Sequence, residues 1–251
     1  MEISIHIKNL DLQYKGADFK AIDKLNLKVH KAEVFGLLGP NGAGKTSLIS
    51  ILTGLIKPNK GEISIEGFSL QKNLEKIKTL IGVVPQEYAL YPKLTAKQNL
   101  MFFGSMYGIP KNQLKNRVEE GLQEMRLTDF ADKKIETFSG GMKRRINLLA
   151  GILHQPKVVF LDEPTVGVDV HSRRYIIDYL KKLNQQQKTT IIYTSHLLSE
   201  AQEFCTKVAI IESGKIQIQG KTKEILMQDG RIKSLEEIFI ENTGKHHLFN
   251  V

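Results

Sequence analysis

The chain of 251 residues has a single cysteine, Cys205, so no internal disulfide can form and a reducing compartment is expected. No apolar run approaches the ~18 residues that a membrane-crossing helix requires. The start, Met1-Glu2-Ile3-Ser4-Ile5-His6, lacks the basic stretch of a secretory leader, and the expectation is a chain soluble by itself. Low-complexity segments and internal repeats are also missing, so no repeat array is expected. Positive charge is in excess, at +9, but Lys72, Lys76 and Lys78 typify lysines that are dispersed and not massed in one block. That pattern reads as a solvated surface, with no nucleic-acid partner expected. Hydrophobic residues make up 41% of the chain, enough to build one large domain or two small ones around a core.

What is present begins with Gly39-Pro40-Asn41-Gly42-Ala43-Gly44-Lys45-Thr46, which fits the phosphate-loop pattern G-x-x-x-x-G-K-[ST]. An apolar run, 34–38, precedes it and a helix-like stretch, 47–52, follows, the strand–loop–helix setting the motif requires. Gly39, Gly42 and Gly44 let the backbone curl until successive N–H groups point at an anion. The positive end of the helix beginning near Lys45 adds to that field. Lys45 would reach the β- and γ-phosphates of a bound triphosphate, the Thr46 hydroxyl would ligate Mg²⁺, and Ser47 closes the nucleotide-binding stretch. The spacing is not G-x-G-x-x-G, which argues against a dinucleotide fold.

Periodicity organises the rest. Ile3, Ile5 and Ile7 alternate with polar residues, as do Leu25, Leu27 and Val29, and again Ile63 and Ile65, predicting half-buried strands of an antiparallel sheet. Residues 93–153 carry helix signals, with capping-box spacing at Thr95 and Gln98 and a further helix over 111–125. Runs 158–161 and 190–194 are continuously apolar, predicting buried parallel strands, with a helix bearing Ile176, Leu180 and Leu183 between them. Val208 and Ile210, then Ile216 and Ile218, predict a hairpin about Ser213-Gly214.

Asp162 and Glu163 end the apolar run 158–161, and in open α/β sheets ligands bind at the carboxyl ends of strands. Asp162 is placed to hold Mg²⁺ and Glu163 to polarise a water for in-line attack on the γ-phosphorus. Taken alone, the pair reads equally well as acidic residues entering the turn at Pro164. Ser139-Gly140-Gly141 offers a second anion site at a helix start, or simply a serine-capped helix.

The stretch 39–46, Gln86, Phe138-Ser139-Gly140-Gly141-Met142, Phe160-Leu161-Asp162-Glu163-Pro164-Thr165, Asp169 and His196 follow one another as in the ATPase subunits of ABC transporters. Over almost its whole length the chain resembles that family. The resemblance implies an α/β fold: a P-loop NTPase core with a mostly parallel sheet, an antiparallel β subdomain and a helical subdomain. The single domain would comprise 1–86 with 154–220 as core and β subdomain, 87–153 as helical subdomain and 221–251 as C-terminal tail. It also implies that two copies pair head to tail, so that Ser139, Gly140 and Gly141 of one contact ATP held by the other. His196 becomes the switch histidine on the γ-phosphate, Gln86 a sensor of Mg²⁺ and of the membrane partner, Asp169 a residue of the dimer joint, and Tyr14 the ring that stacks on adenine. The family usually has Leu-Ser-Gly-Gly-Gln, and Phe138 and Met142 depart from it at the outer positions.

By the same resemblance the chain is the ATP-binding and hydrolysing subunit of a transporter, with ATP and Mg²⁺ as cofactors and Lys45, Glu163 and His196 as the catalytic set. It would sit in the cytoplasm on the inner face of the cell membrane, as a homodimer on separate integral membrane permease subunits. Gln86, Glu87, Tyr88, Leu90, Tyr91 and Pro92 are candidates for the docking groove, or else for subdomain core. The run 163–169 and Ser234-Leu235-Glu236-Glu237-Ile238-Phe239 look like bacterial ABC-2-type export ATPases. A soluble ABC-type ATPase of iron–sulfur cluster assembly, or another non-transport role, is the alternative. A regulator without turnover would not need Lys45, Asp162, Glu163 and His196 together, and the 93 residues from Thr46 to Ser139 leave no room for the long coiled coils of DNA-acting relatives.

Overall fold

A computed structural model describes residues 2–228 and 231–247. The chain runs β1 (Ile3–Leu12), β2 (Ile22–His30), β3 (Val34–Leu38), α1 (Lys45–Leu52), β4 (Lys60–Ile65), β5 (Phe68–Ser69), α2 (Leu74–Leu80), β6 (Ile81–Val84), α3 (Ala96–Met106) and α4 (Lys111–Glu124). It continues with α5 (Gly140–Ile152), β7 (Val158–Asp162), α6 (Val170–Gln187), β8 (Thr190–Ser195), α7 (Leu198–Phe204), β9 (Lys207–Glu212), β10 (Lys215–Lys221), α8 (Thr222–Leu226), β11 (Met227–Gln228), β12 (Arg231–Ile232) and α9 (Leu235–His247). Two compact units emerge: 1–78 with 190–251, and 79–189.

The first unit contains the antiparallel sheet read from alternation. β1 pairs with β2 through Ile5↔Val29 and Ile7↔Leu27, and with β4 through Ile5↔Ile65 and Ile7↔Ile63. Two cross-strand rows of branched apolar residues therefore stand on one face and are buried, while His6, Lys28 and Ser64 share the other. Ile3 begins the same alternation but lies 38% exposed at the end of the strand. A second sheet brings β10, β9, β3 and β8 side by side. β3 is buried at every residue and runs parallel to both β8 and β9, which is why it shows no alternation. β9 and β10 form the expected hairpin, and Ser213 and Gly214 at its turn both have left-handed φ, 48° and 75°. Cys205 is buried behind Gly36, and burial pushes its thiol far up, so it behaves as a small core residue. Ser234 and Glu237 exchange bonds at the start of α9, whose Leu235 and Ile238 are buried. Residues 248–251 of the tail lie outside the described residues.

The second unit is mostly helical. Thr95 and Gln98 form the complete capping box at α3, and α4 matches the predicted helix to within one residue. α6 buries Ile176, Leu180 and Leu183, the stripe seen in the sequence. β6 and β7 pair in parallel, with Ile81 opposite Val158 and Val84 opposite Leu161, so Asp162 emerges at the carboxyl end of a fully buried strand.

Candidate functional site

In the first unit the phosphate loop joins β3 to α1. Gly42 and Gly44 take φ of 78° and 109°, conformations that a residue with a Cβ resists. A Cβ on Gly44 would stand 2.5 Å from the Ala21 carbonyl oxygen, and one on Gly39 would run into the carbonyl of Ile211. Gly44 is therefore required twice, by backbone angle and by close approach, Gly42 by angle alone and Gly39 by close approach alone. α1 begins at Gly44, which has no side chain to cap its first turn. The Lys45 ammonium is buried and donates to the carbonyls of Gly39 at 2.8 Å and Pro40 at 3.0 Å, inside the loop. The Tyr14 hydroxyl lies 3.0 Å from that of Ser47, which puts an exposed ring beside the first turn of α1. His196 is exposed just beyond β8. Beside it the Leu197 N–H donates to the Ser195 hydroxyl at 2.9 Å.

Sequence reading missed one supporting residue here. The Gly214 N–H donates to the Ala43 carbonyl at 3.0 Å, and the Asp23 N–H donates to the Gly214 carbonyl at 3.0 Å. Gly214 thus buttresses the phosphate loop from the β9–β10 turn. Its sequence signal was only that of a hairpin turn.

In the second unit Asp162 and Glu163 are both buried at the end of β7. Glu163 takes a left-handed φ of 50°, a strain of about 1 kcal/mol that the scaffold must impose on a residue with a side chain. Its carboxylate accepts from the Gln86 amide at 3.3 Å. Ser139 caps α5, accepting from the Met142 N–H at 3.3 Å, and Gly140 and Gly141 form its first turn. Gly141 is required by packing: a Cβ there would strike the Ser172 hydroxyl and stand 2.6 Å from the Asp169 carboxylate. Asp169 caps α6 by accepting from the Ser172 N–H at 2.9 Å, and this bond holds its carboxyl below the usual range. Phe138 is buried edge-on to Phe130, so the position where the family has leucine is filled by a larger core residue. Tyr88 and Tyr91 are exposed, Leu90 is half-buried, and Tyr91 meets Phe102 edge-on at 5.1 Å.

The Thr46 hydroxyl and the Asp162 carboxylate are hard oxygen donors of the kind Mg²⁺ takes. Among the described residues no cluster of three or more His, Cys, Asp or Glu could hold a metal.

The family profile described as ABC transporter matches residues 22–166. The chain is 46% identical over 206 residues to the linearmycin resistance ATP-binding protein LnrL of Bacillus subtilis, covering 82% of this chain and 66% of that one. It is 34% identical to the ABC transporter ATP-binding protein NatA of the same organism, over 88% of this chain and 89% of that one. Of a plant ABC transporter A family member from Arabidopsis thaliana it spans only 25%. The dimeric ATP-binding cassette MJ0796 in a post-hydrolysis state with ADP and Pi superposes with a TM-score of 0.80 at 27% identity, over 87% of this chain and 98% of that chain. The expected α/β P-loop fold, with its parallel and antiparallel sheets and its helices, is borne out by that match.

Proposed function

The chain belongs to the ABC transporter ATP-binding family, and from that premise we propose that it hydrolyses ATP to power transport through membrane-embedded partners. The observation that carries the proposal is the phosphate loop, whose glycines are demanded by backbone angle and by contact, with Lys45 buried inside it. Its curled backbone N–H groups and the α1 N-terminus bind the phosphates, Lys45 neutralises the β- and γ-oxygens, and Tyr14 stacks on the base. Thr46, Asp162 and Gln86 are the residues assigned to Mg²⁺, which when bound draws charge from the phosphate oxygens. Glu163 takes the proton of the attacking water, and His196 holds the γ-phosphate.

Ser139, Gly140 and Gly141 serve a second copy. ATP bridges the two copies through γ-phosphate contacts that ADP lacks, so binding closes the pair and hydrolysis releases it. Asp169 belongs to the joint between them. Support comes from the dimeric relative of known structure. Among the described residues no helix is long and apolar enough to cross a membrane. In this proposal the cargo path lies in the membrane-embedded partners, with this chain on their cytoplasmic side. The exposed rings of Tyr88 and Tyr91 are the proposed seat of that partner. Similarity to a resistance protein favours outward movement of the cargo.

The test is purification from native membranes followed by assay of phosphate release from MgATP. The expected result is an accompanying integral membrane protein and turnover that depends on Lys45. A chain that comes off membranes alone and releases no phosphate overturns the proposal.

A further inference from the structure

The unit 79–189 holds a charged side chain for which the proposed reaction has no use. Arg144, in the second turn of α5, is only 4% exposed. A buried guanidinium must find partners, because an uncompensated buried charge is costly. It finds two on the segment that carries Gln86, while its buried Nε has no hydrogen-bond partner among the described residues. Its Nη1 donates to the Pro85 carbonyl at 3.1 Å, and its guanidinium carbon stands 4.9 Å over the Tyr88 ring. Burial pulls the guanidinium below the ordinary arginine range, and the Tyr88 and Glu163 groups pull it back.

The same segment is held at two further points. Asn147, three residues along the same helix face, donates to the Pro85 carbonyl at 3.3 Å and accepts from the Ala89 N–H at 3.1 Å. Tyr88 donates its hydroxyl hydrogen to the Gly140 carbonyl at 3.2 Å, directly at the Ser-Gly-Gly start of α5. Residues on either side of Gln86 are thus fastened to α5, and Gln86 itself bonds Glu163. The neighbouring Arg145 faces elsewhere, toward the Met125 carbonyl and the Tyr175 ring, and so packs helices.

We propose that Arg144, together with Tyr88, is a positioning residue for hydrolysis: it locks residues 85–89 onto α5, so that the Gln86–Glu163 pair and the Ser-Gly-Gly turn shift as one piece. Arginine suits the task where lysine does not, because a planar fork can donate to a carbonyl and lie on a ring at once. A displacement of the segment by a docked partner would then reach both the attacking-water residue and the turn offered to the second copy. The proposal rests on the ATPase reading above.

The experiment measures kcat, KM for MgATP and melting temperature for the purified complex and for Arg144→Gln, Arg144→Lys, Tyr88→Phe and the Arg144→Gln/Tyr88→Phe pair. Arg144→Gln is expected to lower kcat about tenfold with KM within about twofold, the signature of a group that acts on the transition state. Arg144→Lys recovers part of the loss, and the pair is no slower than Arg144→Gln alone, because both residues serve one clamp. If Arg144→Gln does not fold, Tyr88→Phe decides, since its ring and packing stay: a kcat loss of about threefold at constant KM supports the clamp. A kcat unchanged in these variants, or losses that simply add, overturns it. A wild-type complex without turnover sinks the ATPase reading and this one together; an active wild type with unaffected variants sinks this one alone.

Discussion

Glu163 is where the proposed chemistry and backbone strain coincide. It is buried, left-handed in φ and bonded to Gln86, so its carboxylate is aimed and not merely present. Glu163→Gln keeps shape and the possibility of hydrogen bonding but removes the base. Turnover should fall by about 10²- to 10⁴-fold, the usual worth of a general base, while MgATP still binds and the ATP-bound dimer accumulates. Single-turnover phosphate release and gel filtration check it, and near-normal turnover would remove Glu163 from the role. The phosphate loop could be read from sequence because a fixed spacing of glycines and lysine is itself the chemistry. Gly214 and Arg144 could not, because what each does is set by a partner distant along the chain: Ala43 for one, Pro85 for the other. Gly214→Ala would force a Cβ to within 2.7 Å of the Ala21 carbonyl at a φ of 75°. The expected cost is about 1–3 kcal/mol, seen as a lower melting temperature together with weaker ATP binding. A melting loss with unchanged nucleotide affinity would show that the buttress does not reach the loop.

At the scale of elements, the long periodic ones were legible and the short ones were not. Two cross-strand rows made β1, β2 and β4 visible, and unbroken apolar runs marked β7 and β8. β6 spans four residues, Ile81–Val84, too few to display a period, and α2 before it is only seven residues long. Charge also joins elements here. Asp23 of β2 pairs with Lys20 and with Lys215 of β10, while Lys20 also reaches Asp11 of β1. Bonds from Lys20 first, then Lys215, lower the Asp23 carboxyl to about 2. This folded value lies below the unfolded one of about 3.9. Its stabilising effect is therefore whole above the unfolded value and disappears as pH falls through about 2. Asp23→Asn should melt a few degrees below wild type near neutral pH, with the two curves converging as the medium approaches about pH 2. A gap that persists in acid would mean that the side chain acts through its shape and not its charge.

At the scale of the whole molecule the question is whether one copy completes its own reactive site. The phosphate loop and the Ser-Gly-Gly turn are each well formed. In the proposed function each is an anion site, and a single triphosphate offers one γ-phosphate to be bridged. If the turn serves a partner's ATP, two defects in different copies must complement. Lys45→Ala disables the loop of every site in a homodimer, and Ser139→Arg disables the turn of every site. A mixed dimer contains one site with both defects and one with neither. Random pairing of equal amounts makes half of the dimers mixed, so the mixture should recover about a quarter of wild-type turnover from two inactive parents, provided that the sites fire independently. Ser139→Arg alone should leave ATP binding by the isolated copy intact, because only the contact supplied across the pair is blocked. The mixing assay separates the two architectures without any structure of the complex: a site built within one copy gives no recovery at any ratio. A site shared between copies gives recovery that peaks at equal amounts and falls away on either side, since only the mixed pair contributes and its share is greatest there.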